Sequence, residues 1–60
     1  MELDRNLRIE QVIEITTLSR TEIYRRIKAG LFPSQKRVSH KVAVWRASEI
    51  KAWHEAIFGA

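Results

Sequence analysis

A chain of 60 residues has room for one domain, and the absence of cysteine excludes disulfides and thiolate metal sites as ways to hold it together. So small a core does not sustain a deep preformed cleft, which argues against an enzyme with a small-molecule substrate. No apolar stretch approaches the length of a membrane span or a signal peptide. We expect a single soluble, cytoplasmic domain over residues 1–60.

Positive charge is concentrated in the middle of the chain, although the formal net charge is only +4. Residues 19–46 carry eight Lys or Arg residues and one acid, a net charge of +7, whereas the flanking residues carry a net charge of −3. Clustered cations displace counterions from a phosphate backbone, so this asymmetry is typical of a polyanion site. A plain solvated surface explains the charge equally well.

The first predicted element is a short helix from about Ile9 to Thr16, because Ile9, Val12 and Ile13 recur at helical spacing with polar residues between them. A polar break follows. Ser19 and Glu22 then form an S-x-x-E capping box, in which each side chain satisfies a free backbone N–H at the start of a helix.

The second predicted helix runs from about 20 to 29 and buries Ile23 and Ile27. Gly30 lies where a left-handed helix cap is favoured, and Pro33 prevents the helix from continuing. Two short helices joined by a brief turn form a helix-turn-helix over residues 9–29.

The segment 36–46 predicts a β-hairpin wing, because Val38, Val42 and Val44 alternate with cations around a turn at Ser39 and His40. A third helix is predicted over about 48–58, with an inward face formed by Ile50, Trp53, Ala56 and Ile57. The fold class is therefore α+β, mainly α: a winged helix-turn-helix with three short helices and a small hairpin.

The candidate DNA-binding residues are polar side chains opposite the buried face of the second helix and on the wing. Arginine pairs with guanine, hydroxyl groups bind phosphates or base edges, and a helix N-terminus attracts phosphate oxygens. The alternative for Tyr24 is a core aromatic, and for each wing cation a solvated edge charge. The candidates are Ser19, Arg20, Thr21, Tyr24, Arg25 and Lys28 on the helix, and Arg37, Ser39, His40, Lys41 and Arg46 on the wing.

The chain offers little to support catalysis or metal binding. His40 and His54 are the only histidines, and no cysteine joins them at a zinc-site spacing. The glutamates fall on polar helix faces, as surface charges do. Trp45 and Trp53 lie among aliphatic residues, which favours a core position over base stacking. No cofactor, metal or catalytic residue is predicted.

Two segments, LSRTEIYRRIKAGLFP (18–33) and VAVWRASEIKAW (42–53), resemble the AlpA family of prophage transcriptional regulators, which are similar to excisionases and to MerR-type DNA-binding domains. The resemblance spans about Leu7 to Trp53. It implies a winged-helix domain that acts on promoter or attachment-site DNA, often to control an integrase or excision.

The sequence departs from that family pattern in three places. Thr17 stands where relatives usually have a glycine in the helix-turn-helix turn, so either the turn is looser or another residue takes the unusual backbone angles. Residues 39–41, Ser-His-Lys, replace a wing tip that often contains Gly-Gly-Arg. Arg26 replaces an apolar residue, so it either extends along the core edge or adds a phosphate contact.

The expected partner is double-stranded DNA, with a homodimer or cooperative assembly, RNA polymerase and an integrase as further candidates. The alternative function is a protein-interaction adaptor that docks through Trp45, Trp53, Ile57 and Phe58, while its basic face only confers solubility. DNA binding that falls steeply with salt distinguishes the two functions.

Overall fold

The computed structural model describes residues 4–59, in which three helices surround a small antiparallel sheet. The helices are α1 (Ile9–Thr16), α2 (Arg20–Lys28) and α3 (Ala47–Phe58), and the strands are β1 (Asn6–Leu7), β2 (Lys36–Arg37) and β3 (Ala43–Arg46). The strand order is β1-β3-β2. This arrangement confirms the predicted α+β, mainly helical, winged-helix fold.

Strand β1 was not predicted, because the first predicted element begins at Ile9. Asn6 pairs with Arg46 and Leu7 with Trp45, so the residues ahead of α1 close one edge of the sheet. Leu7 is buried there. A strand of two residues is too short to produce an alternating sequence pattern, which explains why it escaped detection.

The core lies where α1, α2 and α3 meet the central strand β3. Trp45 is fully buried, and its indole Nε1–H donates to the carbonyl of Pro33 at 2.9 Å, which ties β3 to the segment after α2. The core position predicted for this tryptophan is therefore correct. The buried apolar cluster consists of Leu7, Val12, Ile23, Phe32, Trp45 and Ile50.

The hairpin turn falls one residue later than predicted. The N–H of Val42 donates to the carbonyl of Ser39, which places His40 and Lys41 at the two central positions of the turn. The N–H of Val38 donates to the carbonyl of Val42, but this residue is exposed and lies just after β2, which ends at Arg37. The turn residues lack the Asn-Gly signal that would have located them.

Helix α3 has the predicted extent, but the inward face predicted for its second half is wrong. Ile50 is buried and Trp53 partly buried against Phe32, with ring centroids 5.0 Å apart. Ile57, however, is 50% exposed and Ala56 is also exposed. Helical spacing reports which residues share a face but not how far the neighbouring elements cover it.

Helix α1 ends at Thr16, and the C-cap residue Thr17 adopts a left-handed backbone conformation with φ of 62°. The sequence left two possibilities for the missing glycine, a looser turn or another residue with the unusual backbone angles. Both are wrong, because Thr17 itself adopts the angles typical of glycine. Its N–H donates to the carbonyl of Ile13 at 2.8 Å. A β-branched residue in this region is strained by about 1–2 kcal/mol.

Replacing Thr17 by glycine is expected to stabilise the fold by about 0.5–1 kcal/mol, because the relieved strain exceeds the extra backbone entropy of glycine in the unfolded chain. For a domain of this size the melting temperature rises by roughly 2–8 °C. Thr17→Ala is the control, since it keeps the Cβ. Thermal unfolding by circular dichroism in which the alanine variant gains as much as the glycine variant contradicts this account.

The caps of α2 confirm its predicted ends, with one correction at the start. At the start of α2, Ser19 Oγ accepts a hydrogen bond from the N–H of Glu22 at 3.1 Å. After its end, Gly30 has φ of 77° and its N–H donates to the carbonyl of Ile27, while the N–H of Leu31 donates to the carbonyl of Arg26. This pair of bonds is a Schellman motif. The capping box is only half formed, because the carboxylate of Glu22 binds arginines instead.

Helix α3 is capped from a distance by Asp4, which precedes β1. The carboxylate of Asp4 accepts hydrogen bonds from the backbone N–H of Ser48, at 3.2 Å, and from its hydroxyl. These two bonds, together with the nearby charge of Arg46, hold the pKa of Asp4 below its usual value of 3.8. A folded-state pKa below the unfolded one means that ionised Asp4 stabilises the fold.

Substituting Asp4 by asparagine is therefore expected to lower the melting temperature at neutral pH, and the difference from wild type should shrink as the pH falls below about 4. Above the unfolded pKa the stabilisation is fully present, and it is lost as the pH drops through the folded pKa. Melting curves between pH 2 and pH 7 measure the difference. A difference that stays constant across this range would show that the charge of Asp4 contributes nothing.

Candidate nucleic-acid interface

One face of α2 consists entirely of exposed, non-acidic side chains. At about 100° per residue, the order around the helix is Arg20, Tyr24, Lys28, Thr21 and Arg25, which together span about 140°. All five side chains are exposed, and Ser19 is exposed at the N-cap. Arg20 and Arg25 therefore mark the two edges of a single face, with the hydroxyl-bearing side chains between them.

The rest of α2 faces the protein or forms ion pairs. Ile23 is buried and Ile27 partly buried, as predicted. Arg26 Nε lies 3.0 Å from Glu22 Oε2, so this residue is held by an acid at the core edge rather than being free to contact phosphate.

Two of the candidate arginines also contact acids. Arg25 Nη1 lies 3.2 Å from Glu22 Oε1, and Arg20 Nη2 lies 3.6 Å from Glu10 Oε2 on α1. Both arginine side chains are more than half exposed, and exposed pairs contribute little stability, typically about 0–1 kcal/mol. A phosphate or a base edge can therefore replace either carboxylate at small cost.

A polar concavity of about 270 Å³ lies between the start of α1, the first turns of α2 and the wing. We call it the basic pocket. Four cations line it, one from the residue before α1, one from α2 and two from the wing, against a single acid, Glu10. Its lining residues are Arg8, Ile9, Glu10, Arg20, Tyr24, Gln35, Arg37, Lys41, Ala43 and Trp45.

Aromatic packing connects α2 to β3 at the basic pocket. The rings of Tyr24, on α2, and Trp45, on β3, have centroids 6.4 Å apart at an angle of 57°. Tyr24 is 39% exposed, so one part of its ring packs against the core while the rest stays accessible on the exposed face of α2. Trp45 thus joins the helix that carries Arg20 to the strand that carries the wing.

The structure brings together four of the candidate residues in the basic pocket: Arg20 and Tyr24 from α2, and Arg37 and Lys41 from the wing. Thr21, Arg25 and Lys28 continue outward along the exposed face of α2. At the wing tip, Arg37 Nη1 donates to the carbonyl of His40 at 3.3 Å, and Ser39 and His40 are exposed.

Arg46 does not join this group. Side chains alternate along a strand, so Arg46 shares a face of β3 with Val44, whereas Ala43 and Trp45 line the basic pocket on the other face. Its charge instead lies close enough to Asp4 to lower the pKa of that carboxyl group.

Two polar residues of the basic pocket whose side chains can donate to a phosphate, Arg8 and Gln35, were not among the candidates from sequence. Arg8 is the N-cap residue of α1, and its backbone N–H donates to Gln11 Oε1 at 2.9 Å. In sequence it was counted with the acidic flank. The available signal was a cation directly before the first predicted helix. Its position next to the wing depends on the fold.

The apolar surface proposed for an adaptor is smaller than the sequence suggested. Trp45 is fully buried and Trp53 partly buried, which leaves Ile57 and Phe58 as the exposed members of that set. Within residues 4–59, no helix is long and apolar enough to cross a bilayer, and no three acidic or histidine side chains are grouped as a metal site would require.

Comparison with known proteins gives a family for the chain. Residues 5–57 match the family model described as prophage CP4-57 regulatory protein (AlpA). The chain is 40% identical over 50 residues to uncharacterized protein ORF88 of Enterobacteria phage P4, an alignment that covers 83% of this chain and 57% of that relative. The chain thus spans little more than half of the relative's length, and no solved structure matches it. With nearly its whole length matched by the family model, the chain belongs to the AlpA family of prophage regulatory proteins.

Proposed function

We propose that the protein is a sequence-specific, double-stranded DNA-binding transcriptional regulator, with α2 in the major groove and the wing on the adjacent backbone. The observation that carries this proposal is the basic pocket, in which cations from α2 and from the wing converge beside an exposed helix face without acids. DNA supplies a groove wide enough for a helix and phosphates on either side of it.

The exposed face of α2 supports the groove-binding role. Its two edges carry guanidinium groups, which pair with guanine, and its centre carries Thr21 and Tyr24, which suit phosphates and base edges. Ser19 and the first N–H groups of α2 lie at the positive end of the helix, where a phosphate oxygen is favoured. We assign Arg25 to a base edge and Arg20 to the boundary between base and backbone.

The basic pocket and the wing support the backbone role. Arg8, Arg37 and Lys41 approach one concavity from two different elements, as is expected when one strand of phosphates passes between them. Lys28, at the end of α2, and Ser39 and His40, at the tip of the wing, extend the proposed DNA-binding surface beyond the basic pocket. Arg46, on the other face of β3, has no part in the contact as we propose it.

The regulatory role rests on membership of a prophage regulatory family. As a member of this family, we propose, the protein acts on a promoter or an attachment site of a prophage or genomic island, and so controls integrase expression or excision. DNA bound in this way leaves the opposite side of the protein free for RNA polymerase, an integrase or another copy.

The direct test is fluorescence anisotropy with a labelled 20-base-pair duplex over 50–200 mM salt. Four phosphate contacts at about −0.9 each predict a log-log slope of about −3.6, and hence a loss of affinity of about 150-fold over this range. Lys41→Ala should weaken binding to every duplex by a similar factor and make the slope shallower by about 0.9.

The matched control is Lys51→Ala, which removes the same charge from a part of α3 that does not line the basic pocket. It should leave the slope unchanged. If both lysine variants alter the slope equally, net charge rather than the basic pocket accounts for binding. If the wild-type protein ignores duplex DNA at 50 mM salt, the proposed function is wrong.

A further inference from the structure

A second concavity, on a different side of the molecule, is apolar. It has a volume of about 370 Å³, and none of its lining residues borders the basic pocket. Its walls come from β1 and the residue before it, the end of α1 and the first two turns of α3. We call it the apolar groove; it is lined by Arg5, Leu7, Ile15, Ala47, Ile50, Lys51 and His54.

An exposed aromatic side chain lies directly beside the apolar groove. Phe58 is 69% exposed, and its ring packs on that of His54, with centroids 4.6 Å apart. Ile57 and Ile15 extend the apolar surface, since each has about half of its area exposed. Exposed apolar residues that adjoin one another and a groove are typical of an interaction site rather than of ordinary surface.

The charges around the apolar groove have both signs. Arg5 and Lys51 line it, and Glu55 lies one turn after Lys51 on α3. Within residues 4–59 none of these three side chains takes part in an ion pair, whereas Glu10, Glu22 and Glu49 all do. A polyanion would meet the acid, and a basic peptide would meet the two cations.

We propose that the apolar groove receives Phe58 of a second copy of this chain, in a two-fold symmetric dimer. A projecting side chain and a groove one helical turn apart on the same face satisfy the self-complementarity that a two-fold contact requires. The same symmetry brings Arg5 and Lys51 of one copy within reach of Glu55 of the other. Both basic pockets stay exposed in such a dimer, although the contact itself does not depend on DNA binding.

A standard interface of about 800 Å² per partner would take roughly a sixth of the 4746 Å² surface of this chain. One aromatic side chain in a groove covers only part of that area, so the dimer is expected to be weak. Sedimentation equilibrium of the 60-residue chain at 5–500 µM, without DNA, should show a reversible shift from the 7.1 kDa monomer toward twice that mass. Phe58→Ser should raise the dimer dissociation constant by about 10- to 100-fold, because it removes a buried aromatic contact.

Leu31→Ser is the matched control, because Leu31 is 68% exposed and lines neither the apolar groove nor the basic pocket. It should leave the dissociation constant unchanged, and melting temperatures close to wild type confirm that both variants fold. A wild-type chain that stays monomeric at 500 µM, an open-ended series of larger species, or equal losses in the two variants overturns the proposal. Each of these results leaves the DNA-binding proposal intact, because that proposal is tested by titration with duplex.

Discussion

Replacing Trp45 by alanine is expected to remove about half or more of the stability of the fold at 25 °C. Removing a fully buried tryptophan costs about 3–5 kcal/mol, and the whole fold has a stability of only about 3–9 kcal/mol at this length. The substitution also leaves the carbonyl of Pro33 without its indole donor and removes the ring against which Tyr24 packs. Circular dichroism at 222 nm during urea titration measures the loss.

A graded series separates the contributions of Trp45. Trp45→Phe keeps most of the apolar volume but loses the hydrogen bond to Pro33, so its destabilisation should lie between wild type and Trp45→Ala, at about 1–3 kcal/mol. DNA affinity of the phenylalanine variant should follow its folded fraction. An alanine variant that melts within a few degrees of wild type would contradict the central role given to this side chain.

Replacing Arg25 by alanine is expected to lower affinity for a preferred duplex by about 1–3 kcal/mol, or roughly 5- to 150-fold, and to relax the preference at one base pair. Arg25 lies at the edge of the exposed face of α2 that is farther from the basic pocket, and in the proposed DNA orientation this edge meets a base. The preferred duplex is obtained by selection from a random library with the wild-type protein. Anisotropy titrations then compare that duplex with its single-base variants.

Arg26→Ala is the matched control for Arg25, because the two side chains share one acid partner, Glu22, and carry the same charge. Arg26 lies at the core edge, so its removal should change affinity by a similar small factor on every sequence. The base-contact role of Arg25 is wrong if Arg25→Ala weakens all duplexes alike, or if Arg26→Ala alters the base preference as strongly.

The helical part of the fold was predictable because its signals are local. The spacing of Ile9, Val12 and Ile13, the Ser19 cap and Gly30 after α2 all depend on residues within one or two turns of each other. The ends of α1, α2 and α3 therefore agree with the sequence to within about one residue.

The remaining features depend on contacts between distant residues. Leu7 becomes a strand residue only because Trp45 lies opposite it, and Ile57 is half exposed although it shares a helical face with Ile50 and Trp53. Arg8 enters the basic pocket because α1 begins beside the wing. The candidates on α2 could be predicted because they share one helical face. That two of them lie close to Arg37 and Lys41 could be seen only in the structure.

The two outer strands, β1 and β2, are each only two residues long. Their free edges present too few backbone N–H and C=O groups to template an incoming strand, so this sheet is a poor seed for amyloid-like growth. Self-association must then proceed through side chains, and the amide I infrared band of the protein should keep the same β content at 5 µM and at 500 µM.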